Sequence, residues 1–112
     1  MEVFSQSSFQ KNYGGGLWDV GNDIQYTSDG NYLLSGYTRS FGFYHMYLVK
    51  ADKNGVPQWS RSFGVRPGQE AFSVKECYDG IIMCGTAGFG QPWDGYIVKT
   101  ECSGDILPKR KY

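Results

Sequence analysis

The sequence DGNYLLSGYT at residues 29–38 returns as DGIIMCGTA at residues 79–87. The correspondence extends outward from this pair, since YLVK at residues 47–50 returns as YIVK at residues 96–99. The two copies are 50 positions apart up to Gly30 and 49 positions apart after it, so the second copy lacks one residue. A period of this length is typical of repeat proteins, in which each copy forms one supersecondary unit.

Each copy contains four segments with the pattern of short β-strands. They are predicted at residues 20–27, 32–38, 45–51 and 56–63 of the first copy, and 70–77, 81–87, 94–100 and 105–112 of the second. The Asp-Gly pair after the first segment favours a two-residue hairpin with positive φ angles. The second segment is apolar on both sides, which indicates a sheet buried on both faces. We therefore predict an all-β fold of two four-stranded antiparallel blades of a β-propeller.

The first copy is similar to a known repeat. The residues that resemble it are DGNYLLSGYTRSFG at 29–42, YLVKAD at 47–52, Gly55 and Trp59. They match the pattern DGGY..GxT.SFG...D.YLVK.D..G...W of bacterial and archaeal tandem-repeat propellers, and the resemblance covers residues 9–107. His45 stands where that repeat has Asp, and Pro108 stands where it has Trp. The resemblance implies a propeller fold without implying a particular activity.

A ninth strand segment precedes the two copies. FQKNYG at residues 9–14 parallels WSRSFG at residues 59–64, which belongs to the fourth strand of the first copy. The chain therefore contains an extra N-terminal strand in addition to two complete blades. We divide the single domain, residues 1–112, into an N-terminal outer strand at 1–14, a first blade at 15–63 and a second blade at 64–112.

Two blades cannot close a ring by themselves. They would leave two apolar blade faces open, and this apolar area is larger than a soluble monomer usually exposes. Head-to-tail association of identical chains can close such faces into a ring. We expect a homo-oligomer with strand exchange, in which Phe4, Phe9 and Tyr13 of one protomer lie at the outer edge of its neighbour's second blade. We favour a trimer, with about six blades, over a tetramer with about eight. The alternative is a fragment of a longer repeat array.

Propeller geometry places two sets of longer loops on one face of the ring. These loops differ most between the copies, and loops of this kind usually carry the function of a scaffold. The candidate ligand-binding residues on the long-loop face are Trp18, Arg39, Tyr44, His45, Arg66, Trp93 and Asp94. Aromatic rings beside polar groups can recognise a carbohydrate or a peptide. Packing of Trp18 and Trp93 between the blades is the structural alternative.

The remaining reactive side chains form no catalytic or metal-binding pattern. His45 is the only histidine, which disfavours a His-based metal site or catalytic triad. The three cysteines match no zinc or CxxC spacing. An Asp79-Gly80 turn would place Cys77 opposite Ile82, which does not favour a disulfide with Cys84. We expect no catalytic residue, no metal and no cofactor.

Charge and leader signals limit the partners of the protein. Eleven basic residues balance eleven acidic ones, so no electrostatic field favours nucleic acid or an anionic membrane. The N-terminus lacks the pattern of a signal peptide, which predicts a cytoplasmic protein, with secretion as the alternative.

The function expected from the sequence is a non-enzymatic binding or assembly module. The alternatives are a hydrolase or lyase with a site in the central channel of a propeller and a purely structural repeat.

Overall fold

The computed structural model describes residues 8–14, 19–39, 45–63, 68–87 and 94–106. Seven β-strands form in this part of the chain, and none of its residues is helical. They are β1 (Asp19–Tyr26), β2 (Tyr32–Thr38), β3 (His45–Ala51), β4 (Pro57–Phe63), β5 (Glu70–Cys77), β6 (Gly80–Ala87) and β7 (Asp94–Thr100). The first four strands form one antiparallel sheet in sequence order, and the last three form a second. The prediction of an all-β fold is confirmed.

The predicted strands within the two copies agree closely with the structure. β2, β3, β5 and β7 have the predicted bounds, and the other three differ by one residue at one or both ends. The terminal segments differ more. Residues 8–14 are in no strand, since they lie against the face of the first sheet and pair with no strand edge among the described residues. Of the predicted final strand, Ile106 forms an isolated bridge to Thr100, and residues 107–112 lie outside the described residues.

The first hairpin has a longer turn than the sequence predicted. β1 and β2 are joined by five residues, 27–31, and Tyr26 lies opposite Tyr32. The Thr27 N–H donates to the Asn31 carbonyl, and the Asn31 N–H donates to Thr27 Oγ1, each at 3.0 Å. Gly30 adopts the positive φ, at 83°. The two-residue prediction is wrong here because Asn31, the residue that the second copy lacks, closes a wider loop.

The second hairpin has a two-residue turn, but at a different position from the one predicted. Cys77 pairs with Gly80, so residues 78–79 form the turn and Cys77 does not face Ile82. Neither turn residue has a positive φ. Gly80 belongs to β6, where a Cβ would collide with the carbonyl group of Thr100 at the end of β7. This glycine therefore serves a close backbone approach and not a left-handed turn.

The two sheets pack face to face around one hydrophobic core. Its buried residues come from both sheets and are Leu33, Met46, Leu48, Phe63, Ala71, Val74, Ile81, Met83 and Val98. None of them is more than 6% exposed. Because burial of apolar surface contributes about 25 cal/mol per Å², this core holds the two repeat copies together as one unit.

Paired β-bulges add polar contacts between the sheets. β1 has a bulge after Gly21, and β5 has one after Ala71, at the equivalent position of the repeat. Asn22 Nδ2 donates to the Ala71 carbonyl at 2.8 Å, and the Val74 N–H donates to the Asp23 carboxylate at 2.9 Å. A bulge leaves backbone groups without a ladder partner. The bulge of the first sheet thus supplies partners for the bulge of the second.

Candidate functional site

The first sheet has an apolar face that the second sheet does not cover. Ile24 is 58% exposed and Tyr26 is 72% exposed on this sheet. The N-terminal segment, residues 8–14, crosses the face and covers part of it. The Phe9 ring packs edge-on against Tyr32 with ring centres 6.1 Å apart. A cavity of about 50 Å³ between the segment and the sheet is lined by Phe9, Tyr13, Ile24, Tyr32, Leu34, Val49 and Ala51.

The fourth strand of the first sheet packs against the last turn of the second. The Trp59 ring lies against Gly104, so that a Cβ on this glycine would collide with it. The Arg61 guanidinium lies 5.1 Å from the centre of the Trp59 ring and donates to the Asp105 carboxylate at 3.3 Å. β4 thereby contributes to the contact between the two sheets.

The N-terminal segment makes the equivalent contact on the first sheet. In the repeat, Phe9 corresponds to Trp59, and Gly55 corresponds to Gly104. The Phe9 ring lies against Gly55, as the Trp59 ring lies against Gly104, and the Tyr13 hydroxyl donates to the Gly55 carbonyl. Residues 8–14 thus occupy the position that the fourth strand of a preceding blade would have.

The second sheet also has an open apolar face. The equivalent face of the first sheet is buried between the two sheets. Ile82 and Ile97 are 36% and 67% exposed. Their equivalents in the first sheet are Leu33 and Leu48, which are fully buried in the core between the sheets. A groove of about 170 Å³ on this face is lined by Ser73, Lys75, Ile82, Met83, Cys84 and Ile97.

The outer edge of β7 is the place where a fourth strand is expected. In the first sheet, β3 pairs along this edge with β4, from Met46 opposite Phe63 to Lys50 opposite Trp59. Within the described residues, the corresponding edge of β7 has only the single bridge from Thr100 to Ile106. Residues 107–112, which the sequence predicts as the partner of this edge, lie outside the described residues.

The long-loop face is described in part. Trp18, Tyr44, Arg66 and Trp93 lie outside the described residues, as does Phe4 of the expected interface. Arg39 follows β2, and His45 begins β3 opposite Thr38, so both lie at one end of the first sheet. Asp94 begins β7 at the corresponding end of the second sheet and is exposed. The structure therefore places these three residues at the same end of their sheets, as the repeat predicted.

A cleft that the sequence analysis missed opens beside the N-terminal segment. It has a volume of about 380 Å³ and is lined by Lys11, Asn12, Tyr13, Gly14, Asp19, Gly21 and Leu34. The repeat pattern predicts residues 9–14 at the edge of a neighbouring chain, whereas in the structure they lie beside β1 and β2 of their own chain. The glycine at position 21 did not indicate this cleft, since the Leu34 side chain occupies the place of a Cβ there.

Two ion pairs secure the hairpin turns and lower the pKa values of their carboxylates. Asp29 lies 2.8 Å from the Lys50 ammonium, and the hydrogen bonds from Lys50 and Thr27 lower the pKa of Asp29 to about 2. The second copy repeats the pair, since Asp79 lies 2.8 Å from Lys99 and its pKa is also lowered by that contact. Both pairs lie at the turn end of the sheets, away from the long-loop face. Their role is to fix the hairpins.

The Asp29–Lys50 pair predicts a defined pH dependence. Because the folded-state pKa of Asp29 is about 2, below its ordinary value of 3.8, the stabilisation is complete above pH 4 and disappears as the pH falls through 2. Asp29→Asn should lower the free energy of unfolding at neutral pH by less than about 1 kcal/mol, since the carboxylate is half exposed. Urea unfolding of both proteins across this pH range measures the difference, and Lys50→Met should reproduce it. A difference that does not change with pH would contradict the assignment.

No group of three or more His, Cys, Asp or Glu within the described residues is arranged to hold a metal ion. The same part of the chain forms no helix long and apolar enough to cross a membrane. Comparison with protein-family models, curated proteins and solved structures finds no significant match to this chain. The functional proposal therefore rests on the repeat and on the geometry of the two sheets.

Proposed function

We propose that this chain is a non-enzymatic assembly module whose copies associate head to tail into a closed β-propeller. We define the head face as the open face of the first sheet, marked by Ile24 and Leu34, and the tail face as the open face of the second sheet, marked by Ile82 and Ile97. One observation carries the proposal. The two open faces are the repeat counterparts of the two faces that pack together within the chain.

The internal contact supplies the template for the contact between copies. The tail face corresponds to the side of the first sheet that carries Leu33 and Leu48, and the head face corresponds to the side of the second sheet that carries Val74 and Met83. The tail of one copy can therefore pack on the head of the next as the two sheets pack within one copy. A contact of this heterologous kind forms a ring when its rotation closes. We propose three copies, since propellers have about four to eight blades and each chain supplies two sheets.

Strand exchange completes each junction in this arrangement. Residues 8–14 already lie on the first sheet in the place of a fourth strand, so the tail sheet of the preceding copy would bring its β7 edge beside them. The repeat relates β7 to β3 and residues 8–14 to β4, so the register of β3 with β4 predicts the register of β7 with residues 8–14. It places Gly95 opposite Tyr13 and Lys99 opposite Phe9. The competing occupant of the β7 edge is the chain's own segment at 107–112.

The ring would present a ligand surface on its long-loop face. Arg39, His45 and Asp94 lie at that end of the sheets, and the sequence predicts that Trp18 and Trp93 belong to the long loops of the same face. Aromatic and polar side chains on one face favour a carbohydrate or a peptide as the ligand. A glycan and peptide array probed with the assembled protein tests this part of the proposal. An absence of binding to both kinds of array would leave the assembly without this ligand role.

Assembly is tested by light scattering of chromatographically separated protein. The wild-type chain should have the mass of a closed oligomer, three chains in the favoured case. Ile24→Lys should block the head face and Ile97→Lys the tail face, so each variant alone should be a monomer, because a lysine ammonium would be buried in an apolar contact. A mixture of the two variants should form a one-to-one pair, since each chain retains one intact face.

The control for this experiment is Lys53→Glu, at an exposed residue of the turn between β3 and β4. It should leave the mass of the oligomer unchanged. A wild-type chain that is a monomer at all concentrations would contradict the proposal. Open-ended growth with concentration would contradict ring closure, while leaving the head-to-tail contact in place.

A further inference from the structure

The bulge residue of the second sheet differs in chemistry from its counterpart in the first. Asn22 is the bulge residue of β1, and its amide donates to the Ala71 carbonyl across the buried contact between the sheets. Phe72 is the bulge residue of β5. The repeat places it at the same point of the tail face, where its side chain is 49% exposed. The side chain that makes a polar contact within the chain thus has an exposed aromatic ring as its counterpart on the tail face.

The receiving point on the head face differs in a complementary way. Ala71, which Asn22 contacts, has Gly21 as its counterpart in the first sheet. Gly21 lines the cleft of about 380 Å³ together with Tyr13 and Leu34, and the polar side chains of Lys11, Asn12 and Asp19 line the rest of it. Where the internal contact has a small polar side chain facing an alanine, the open ends have a large ring and a glycine-lined cleft. The Leu34 side chain fills the place of a Cβ at Gly21, but the cleft beside Gly21 lies where the repeat places the larger side chain.

We infer that Phe72 of one copy inserts into the cleft formed by Tyr13, Gly21 and Leu34 of the next copy and anchors the junction between them. This inference rests on the proposed head-to-tail association and identifies a second copy of this chain as the occupant of the cleft. An aromatic side chain that fills a pocket at the centre of an interface commonly supplies a large share of its affinity. The Tyr13 ring and the Leu34 side chain offer the apolar contacts that such a ring requires.

The anchor also separates the two kinds of contact that one chain makes. At the junction within the chain, the Asn22 amide meets a carbonyl acceptor, and at the junction between copies, the Phe72 ring meets apolar side chains. A phenyl ring cannot replace the hydrogen bond of Asn22, and an amide would leave the cleft unfilled. The pairing of heads with tails is therefore specified by shape and polarity, as in interfaces that reject the wrong partner.

The test replaces Phe72 and follows association and folding separately. Phe72→Ala should weaken the association of copies by about 30-fold or more in Kd. The unfolding of the dilute chain should change little, because the side chain is half exposed there. Phe72→Leu should recover part of the affinity, since it retains an apolar group of intermediate size. Lys53→Ala, at an exposed residue of the turn between β3 and β4, should leave association unchanged.

Crosslinking locates the contact directly. A photoreactive benzoylphenylalanine at position 72 retains an aromatic ring, and on irradiation it should join to the neighbouring copy at residues 11–14 or near Gly21 and Leu34. Crosslinks to other segments, or an unchanged Kd in Phe72→Ala, would overturn the anchor while an oligomeric wild-type chain keeps the proposed function. A monomeric wild-type chain would overturn both proposals together.

Discussion

Replacing Gly36 by alanine is expected to lower the free energy of unfolding by about 3 kcal/mol or more. Gly36 lies in β2 opposite Gly21, at the bulge that draws β1 close. A Cβ at Gly36 would lie far inside van der Waals contact of the Val20 carbonyl oxygen. The obstacle is a backbone atom of the paired strand, so it cannot move away as a flexible side chain could. The substitution should therefore disrupt the pairing of the first two strands.

The second copy supplies a replicate of this experiment, and another strand supplies its control. Gly85 is the counterpart of Gly36, and a Cβ there would collide with the Glu70 carbonyl in the same manner. Gly95 lies in β7, and a Cβ added to it would have no atom of the described residues within 4 Å beyond its chain neighbours. Gly85→Ala should resemble Gly36→Ala, and Gly95→Ala should change stability by less than about 0.5 kcal/mol. Urea unfolding followed by circular dichroism measures all three, and equal effects would contradict the close approach.

Replacing Leu48 by alanine is expected to lower the free energy of unfolding by about 2–5 kcal/mol. Leu48 is fully buried in the core between the two sheets. The substitution removes apolar contacts with both sheets and leaves a cavity that the surrounding strands cannot fill. Because the core is shared, loss of Leu48 should weaken the whole unit and not one sheet alone.

Ile97 is the matched control, since it occupies the same position of the repeat but is 67% exposed on the tail face. Ile97→Ala should have a small effect on the unfolding of the dilute chain. On the proposed assembly, its effect should increase with protein concentration, whereas the effect of Leu48→Ala should not. Unfolding by guanidinium at several protein concentrations makes the comparison. Similar losses for both variants in dilute solution would contradict the burial of Leu48 between the sheets.

The sequence was sufficient to predict the strands because the copies confirm each other. A segment such as residues 45–51 is short and ambiguous alone, but its counterpart at 94–100 has the same pattern of apolar positions, and both became strands. The turns were less predictable. Asp-Gly occurs in both copies, yet Asn31 widens the first turn, and Gly80 is used for its lack of a side chain within β6. Local turn preferences were overridden by one inserted residue and by the packing of a strand.

The faces of the sheets could not be assigned from sequence alone. Alternation indicates that Leu48 and Ile97 lie on equivalent sides, but it does not tell which of them is covered. That depends on the place of each copy in the chain. The first sheet packs against the second, whereas the second has no following sheet among the described residues. The site at Gly21 was missed for a related reason, because it forms only when residues 8–14 lie on their own first sheet. Arg39, His45 and Asp94 were correctly placed at one end of the sheets because strand direction determines that position.

The position of residues 8–14 on the first sheet has an evolutionary consequence. On the proposed assembly, the last strand of each blade pair comes from the next chain, so the ends of successive chains meet within a sheet. A gene fusion that joined two copies there would supply the same contacts through a covalent link. A ring of separate chains and a single tandem-repeat chain would then have the same blades and would differ only in the number of repeats that one chain contains.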